Sequence, residues 1–414
     1  MVIKNSELIE LEIIPKDWTF KKIKNIANVI RGASPRPKGD NRFYGGNIPR
    51  LMVKDVTRDG KFVIPKVDFL TTEGAKRSRP CKKGTLTIVC SGTVGIPSFL
   101  DVDACIHDGF LAITNLKKNI SSDYLYYQLS SLRNKFETSA THGGVFTNLT
   151  TSILEEFQVA FPPTKDEQLE IALSLSNVDD LIKKFGLLIQ KKKNIKQGTM
   201  QELLTGKRRL EGFCGEWIER EFGSLTILLT NGFVGKAKDH YVNYVDGVLY
   251  VQGYNVKEND FNFHGIKRIS HSFNENHKKS QLRLGDLLTI QTGDIGVTAI
   301  VTPELVGANC HALIISRLKQ NEADPRFYSQ YFNSKNGKNK LKEIETGTTM
   351  KHLNVGDMTK LMIPYPKPKE QTAISEILQQ MDFEIKELEK QLEKYTNLKQ
   401  AMMQKLLTGE IRLV

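Results

Sequence analysis

The chain states one long passage twice. Residues 193–210, KNIKQGTMQELLTGKRRL, and residues 396–413, TNLKQAMMQKLLTGEIRL, agree at eleven of eighteen positions with a constant offset of 203. The echo continues upstream. FPPTKDEQLEIA (161–172) answers YPKPKEQTAIS (365–375), and KKGTLTIVCSGTVG (82–95) answers RLGDLLTIQTGDIG (283–296), with Gly84/Gly285, Gly92/Gly293 and Gly95/Gly296 in register. DWTFKKIKNIANVIRG parallels EWIEREFGSLTILLTNG, and these stretches hold the only two tryptophans, Trp18 and Trp217. A unit of about 200 residues is too long for a solenoid repeat and long enough to be a domain. Each copy is therefore read as a globular segment followed by a helix.

The helices follow from periodicity. Ile374, Leu378, Met381, Ile385, Leu388, Leu392 and Tyr395 are spaced 4-3-4-3-4-3, and Ile171, Leu175, Val178, Ile182, Phe185 and Ile189 repeat that register in the first copy. Such an a/d seam is narrow enough for two helices to pair with each other, although Lys192 and Lys399 interrupt it. Each helix opens after prolines at an acidic–Gln pair, Glu167-Gln168 or Glu370-Gln371, and stops near Gly206 or Gly409. About 40 residues at 1.5 Å each give roughly 60 Å. Compact domains bring their termini together, so the second helix is expected to run back antiparallel to the first. The globular segments would then lie at opposite ends of a rod, related by a pseudo-twofold axis.

Within each copy GTLTIVC, DLLTIQ, LAIT and ALIIS read as buried strands, and DYLYYQLSSLRNKF and RFYSQYFNSKNGKNKL as short amphipathic helices. The fold class expected is α/β (α+β): two tandem domains joined by two long helices in an antiparallel coiled coil, with an internal pseudo-twofold repeat. The expected divisions are 1–163, 164–210, 211–366 and 367–414.

Five cysteines, odd in number and with no CxxC pair, argue against a disulfide framework or a zinc ribbon and fit a reducing cytoplasm. The opening MVIKNSELIELEIIPKDW lacks the layout of a secretory signal, and no apolar run approaches the ~20 residues of a membrane span. Nucleotide and metal signatures are missing: there is no P-loop, no dinucleotide fingerprint, no His-Glu-x-x-His and no Asn-Pro-Pro-Tyr-like segment of an amino-methyltransferase. Asp101, Asp103 and Asp108 invite a nuclease reading, but the second copy offers no matching carboxylates.

Fifty-nine Lys and Arg stand against forty-seven Asp and Glu, a net charge of +12 that favours a polyanionic partner. The cations gather in loops. The first copy carries Arg31, Arg36, Lys38, Arg42, Arg50 and Lys54, then Arg77 and Arg79; the second carries Lys236 and Lys238, then Lys267 and Arg268. Arg and Lys in loops suit phosphate contacts and the edges of bases in the major groove. These loops differ between copies while the helices stay alike, as a two-headed reader of two different half-sequences requires.

These residues place the chain in a known company. It resembles the specificity subunit of type I restriction–modification systems, through MQELLTG/MQKLLTG, PPTKDEQ/PKPKEQ, CSGTVG/QTGDIG and the closing segments THGGVFTNLTTSILEEFQVAFPP and ETGTTMKHLNVGDMTKLMIPYP. The match spans essentially the whole chain. It implies two target-recognition domains, each reading half of a bipartite, asymmetric double-stranded DNA site, with the paired helices fixing the gap at roughly one to two turns of ~34–36 Å. Family members perform no catalysis. They dock two methyltransferase subunits, which use S-adenosylmethionine, and restriction/translocase subunits driven by ATP and Mg. This chain is expected to bind no cofactor or metal itself. The closing-segment likeness adds Thr147 and Asn148, and Lys351 and His352, to the expected DNA-binding residues. The helix-end motif is expected to be exposed and kept for docking. The rival expectation is a stand-alone two-headed DNA-binding or scaffold protein.

Overall fold

The computed structural model describes residues 14–139, 141–143, 146–347 and 351–413. The opening residues 1–13, and positions 144, 145 and 348–350 of the closing segments, lie outside the described residues. The chain divides into two units, residues 1–185 with 391–414, and residues 186–390.

The first unit holds a sheet in the strand order Asn28–Arg31, Phe110–Thr114, Leu86–Val89, Pro97–Leu100, Phe62–Val63. A second sheet runs Asp68–Leu70, Tyr44–Leu51, Ala104–Ile106, Arg79–Cys81. Leu86–Val89 is buried at every position, Thr87 included, whose hydroxyl bonds to Ser98 on the next strand, so the strand is covered on both faces. The second unit repeats the succession with each sheet one strand narrower: Thr226–Asn231, Leu313–Leu318, Leu287–Ile290, Thr298–Ile300, and Lys267–Ile269, Val248–Val251, Asn309–Cys310. In both, the strand after the tryptophan pairs antiparallel with the strand before the long helix: Thr19–Lys22 with Gln158–Phe161, and Ile218–Glu221 with Met362–Tyr365. The internal repeat is thus one of structure as well as sequence.

The SGTVG and TGDIG loops lead out of the central strands. Both glycines of each loop have φ between 79° and 85°, a region that penalises a Cβ. A Cβ on Gly296 would also lie 2.7 Å from Leu341. The stretches read as single short helices each contain two. Ser122–Ser131 is followed by Arg133–Ser139, and Pro325–Asn333 by Lys335–Glu343. In the second unit the break is Ser334, extended at ψ 161°, whose hydroxyl accepts from the Gly337 amide at 3.1 Å and caps the next helix.

The long helices are Lys165–Leu203 and Pro368–Leu406, each of 39 residues. Within the first unit Asp179 pairs with Lys399 at 2.5 Å and the Phe185 ring stacks on Tyr395 at 5.3 Å, so the segments run antiparallel. Within the second, Lys192 pairs with Glu384 at 2.7 Å and Lys196 with Asp382 at 2.5 Å, again antiparallel. Lys192 and Lys399 therefore interrupt the apolar seam by finding an acid on the other helix. Of the seam positions, Ile171, Leu175, Val178, Ile189, Ile374, Leu378 and Ile385 are buried, and Ile182, Phe185, Met381, Leu388 and Leu392 are half-buried.

The helix ends correct one expectation. The leucines of MQELLTG and MQKLLTG are not exposed: Leu203 and Leu204 lie in the core of the second unit, and Leu406 and Leu407 in that of the first. Gly206 and Gly409, at φ 69° and 74°, turn the chain across Trp217 and Trp18 respectively. The arginine just beyond closes the unit. Arg412 binds Glu167 through both nitrogens of its fork, and Arg209 binds Glu370 at 2.6 and 2.7 Å. The adjacent glutamines accept from backbone amides, Gln168 from Ser121 and Gln371 from Asp324, both at 2.8 Å. In each unit the end of one long helix is latched to the start of the other. That requirement, met twice, explains why the chain writes these motifs twice.

Candidate nucleic-acid interface

In each unit one loop leaves the sheet at a glycine that nothing larger could replace. A Cβ on Gly32 would lie 2.0 Å from the His107 carbonyl oxygen, and one on Gly232 would lie 2.7 Å from the Cys310 carbonyl oxygen. The crossing strand delivers a histidine to the same place in both, His107 after Ala104–Ile106 and His311 after Asn309–Cys310. From this shared origin the loops part.

The loop beginning at Gly32 is held by polar groups. The Ala33 amide donates to the Ile106 carbonyl at 3.1 Å, and the Ala33 carbonyl accepts from the Ser78 hydroxyl at 2.7 Å. Tyr44 donates to the Pro35 carbonyl at 2.7 Å. Ser34 donates to Asp108 Oδ1 at 2.6 Å and accepts from Arg50 Nη2 at 3.2 Å. His107 Nε2 lies 3.0 Å from Asp108 Oδ1 while its Nδ1 accepts from the Gly109 amide, so the neutral imidazole carries its proton on Nε2. Burial keeps His107 below the ordinary histidine value despite Asp108. Burial pushes the Asp108 carboxyl up, but the Ser34 hydroxyl, His107 and Arg36 together hold it lower than usual.

Most of the cations expected in the first copy surround this loop on the outside. Arg31, Arg36, Lys38, Arg42, Arg77 and Arg79 are exposed. Arg42 and Arg77 lie over the Phe43 ring at 5.2 and 4.5 Å, and Arg79 donates to the Arg31 carbonyl at 3.3 Å. Lys54 is exposed on the short helix Val53–Asp59. Arg50 differs from the expected loop cation. It sits in strand Tyr44–Leu51 at 2% exposure, its guanidinium 3.1 Å from Asp68 and 5.3 Å from the Tyr44 ring centre.

The second unit replaces this ionic support with rings. Phe233, next to Gly232, forms an isolated bridge with His311 and packs on Phe273 at 5.0 Å and His277 at 4.7 Å. Tyr250, whose place in its strand corresponds to Arg50, has its hydroxyl 3.2 Å from His311 Nδ1. Lys236, Lys238 and Lys267 are exposed, and Arg268 is half-buried with Nη1 2.5 Å from the Gly247 carbonyl. Val242 donates to the Arg268 carbonyl and Ser270 to that of His240, so the two basic stretches run side by side.

The closing segments meet the glycine loops equivalently. Asn148 bridges Ser91, and His352 bridges Thr292, just ahead of Gly92 and Gly293. Thr147 pairs with His142 in the hairpin Thr141–Gly143 with Phe146–Asn148. Lys351 is exposed and ion-paired with Glu345 at 3.2 Å. The three aspartates of the nuclease reading are held separately: Asp101 by Lys83 at 2.8 Å, Asp103 by Lys82 at 2.7 Å, and Asp108 by Ser34. Sequence reasoning missed His107, His311, Tyr44 and the Phe233 cluster. The paired CIHDGF and NCHALI stretches carried the signal, a histidine ahead of corresponding strands.

This frame has relatives. The family described as the type I restriction modification DNA specificity domain matches residues 15–197 and 226–395. The chain belongs to that family, that of the specificity subunit, the non-catalytic component of type I restriction–modification enzymes. It is 23% identical over 414 residues to the MjaVIII specificity subunit of Methanocaldococcus jannaschii, covering 97% of this chain and 94% of that one. The MjaIX specificity subunit of the same organism is 32% identical over 173 residues, which span 41% of this chain and 39% of the relative. Among solved structures, the type I S subunit from M. genitalium superposes with a TM-score of 0.61 at 17% identity, over 95% of this chain and 96% of that one; the likeness is one of fold. Among the described residues no helix is long and apolar enough to cross a membrane.

Proposed function

We propose that each unit reads one half of a bipartite, asymmetric site in double-stranded DNA, and that the antiparallel helices fix the gap between the halves. One observation carries this reading: two loops leave an equivalent glycine–histidine junction, each amid exposed cations of different sequence. A common frame with divergent loops suits two different half-sites. The first half would be met by Arg31, Arg36, Lys38, Arg42, Lys54, Arg77 and Arg79 with Thr147 and Asn148. The second would be met by Lys236, Lys238, Lys267 and Arg268 with Lys351 and His352. Our working divisions are 1–163, 164–210, 211–366 and 367–414.

The long helices would dock two methyltransferase subunits, with restriction/translocase subunits joining for cleavage, in the cytoplasm. Large apolar side chains left in solvent support docking there: Leu173 at 55% exposure, Leu187 at 64% and Phe383 at 60%. S-adenosylmethionine, ATP and Mg would be used by those partners. The test is to map methylated adenines in host DNA, then replace residues 1–160 by the corresponding domain of another specificity subunit. One half of the mapped site should change. A change in both halves, or recovery of the chain only as a free monomer or homodimer, would sink the reading in favour of a stand-alone protein.

A further inference from the structure

We propose that Arg50 is a positioning residue, which never touches DNA and sets the fidelity of the first half-site by fixing the loop that presents Arg36 and Lys38. This rests on the reading that the first unit meets DNA through that loop.

Four observations converge. Arg50 is buried, so its charge cannot reach a phosphate without dismantling the sheet. It lies in a continuous polar chain: Asp68 at 3.1 Å, then Ser34 Oγ at 3.2 Å, then Asp108 Oδ1 at 2.6 Å from Ser34, then His107 Nε2 at 3.0 Å from Asp108. That chain crosses from the strand to the loop at Ser34, two residues before Arg36. Its neighbour Pro35 is tied to Tyr44, the ring over which the Arg50 guanidinium stacks. Finally, the fold does not need a charge here. At the corresponding strand position the second unit has Tyr250, fully buried, in a sheet that keeps the order of the three shared strands.

A buried guanidinium is a poor means of stabilising a fold, because desolvation offsets most of its attraction to Asp68. Its planar fork is more directional than an ammonium, and here it faces the Asp68 carboxylate and donates to the Ser34 hydroxyl, which an apolar residue cannot do. Among the described residues two of its nitrogens, Nε and Nη1, accordingly lack a hydrogen-bond acceptor in good geometry. That cost is tolerated where orientation matters. A base contact depends on placement to well within an ångström, so freeing Ser34 degrades discrimination before it degrades attraction.

The experiment uses the full-length chain in complex with its methyltransferase subunits. The probes are duplexes carrying the mapped bipartite site and every single-base change in each half. Arg50→Met should relax discrimination within the first half-site by about ten-fold, the worth of one misplaced bidentate contact. The second half-site serves as internal control and should be unchanged, as should the salt slope of binding to unrelated DNA. Ser34→Ala, which leaves Arg50 in place, should give the same half-restricted loss to a smaller degree if Arg50→Met folds poorly. A salt slope lowered by about one unit would make Arg50 a phosphate contact and overturn the proposal. So would equal loss at both halves, or intact discrimination in both variants. Arg36→Ala and Lys38→Ala separate the two ideas: if neither affects the first half-site, the loop does not read DNA and the underlying reading fails.

Discussion

The loop beginning at Gly32 and the loop beginning at Gly232 start from the same backbone arrangement and are held by opposite chemistry. One rests on Asp68, Arg50, Ser34 and Asp108; the other rests on Phe233, Phe273, His277 and Tyr250. The difference teaches which parts of the fold answer to the frame and which to the loop. Groups that close the unit recur at matched positions: Glu167 and Glu370, Arg412 and Arg209, Asp179 and Asp382. Beneath the loop the histidine recurs, as His107 and His311, and the groups packed around it change. Even where a partner changes its chemistry, the frame keeps the geometry, since Tyr127 binds Asp179 and Gln330 binds Asp382, both at 2.7 Å.

The largest effects should therefore be shared by the two units. Glu370 is 2% exposed and Glu167 1%, and each is the carboxylate of a bidentate arginine pair. Removing either takes two charge-assisted hydrogen bonds from a partly exposed guanidinium, and Arg412 keeps Asp17, so Glu167→Ala and Glu370→Ala should each cost about 1.5–3 kcal/mol in denaturant unfolding. Glu370→Ala should be the costlier, because the Trp217 indole also donates to Glu370 at 3.1 Å, while among the described residues the Trp18 nitrogen has no hydrogen-bond partner. A loss below about 1 kcal/mol in either unit, the range of a surface pair, would end the view that these latches are the common frame.

Beneath the loops the units should diverge. Phe233→Ala should destabilise the second unit by roughly 2 kcal/mol, less than for a fully buried ring because Phe233 is half-buried. It should relax the second half-site and leave the first alone. The same readouts with Phe43→Ala, fully buried in the first unit, give the mirror test for the Gly32 loop. If Phe233→Ala altered both half-sites, the aromatic cluster would belong to the frame.

Much of this division was legible in the sequence, for a physical reason. Period and register survive in a one-dimensional string, so an offset of 203 located the helices and their seam, and one of 201 the glycine loops. Burial within a basic run does not survive. Arg50 reads like Arg36 or Lys54 until strand Tyr44–Leu51 turns it inward against Asp68. The helix-end leucines failed in the opposite sense. Leu203 and Leu406 repeat as a surface docking mark would, yet each repeats because it fills the core beside a tryptophan. Repetition reports a shared constraint, and packing is as good a constraint as docking.

The smallest effect tests the one element the two loops share. His107 and His311 are both held below the ordinary histidine value of 6.5, each first by burial; on His107 that is opposed by Asp108 and reinforced by Arg50 and Lys38. An imidazole kept neutral in the fold binds fewer protons there than in the unfolded chain as pH falls below 6.5. Its stabilising contribution is therefore complete above 6.5 and is lost as pH falls through that value toward the lower folded one. Both units should be less stable to denaturant at pH 5 than at pH 7, and His107→Gln or His311→Gln should flatten the dependence of its own unit. The lowered carboxylates, such as Asp324, titrate further down, from an ordinary value of 3.8, and leave this window clear. Asp108→Asn sharpens the comparison. It removes the one neighbour on the Gly32 loop's side that favours the charged imidazole most, so the first unit should become more sensitive to acid while the second is unmoved. Proton NMR titration of the two imidazoles reads the same quantity directly, and a His107 that titrates at or above 6.5 in Asp108→Asn would show that burial does not govern it.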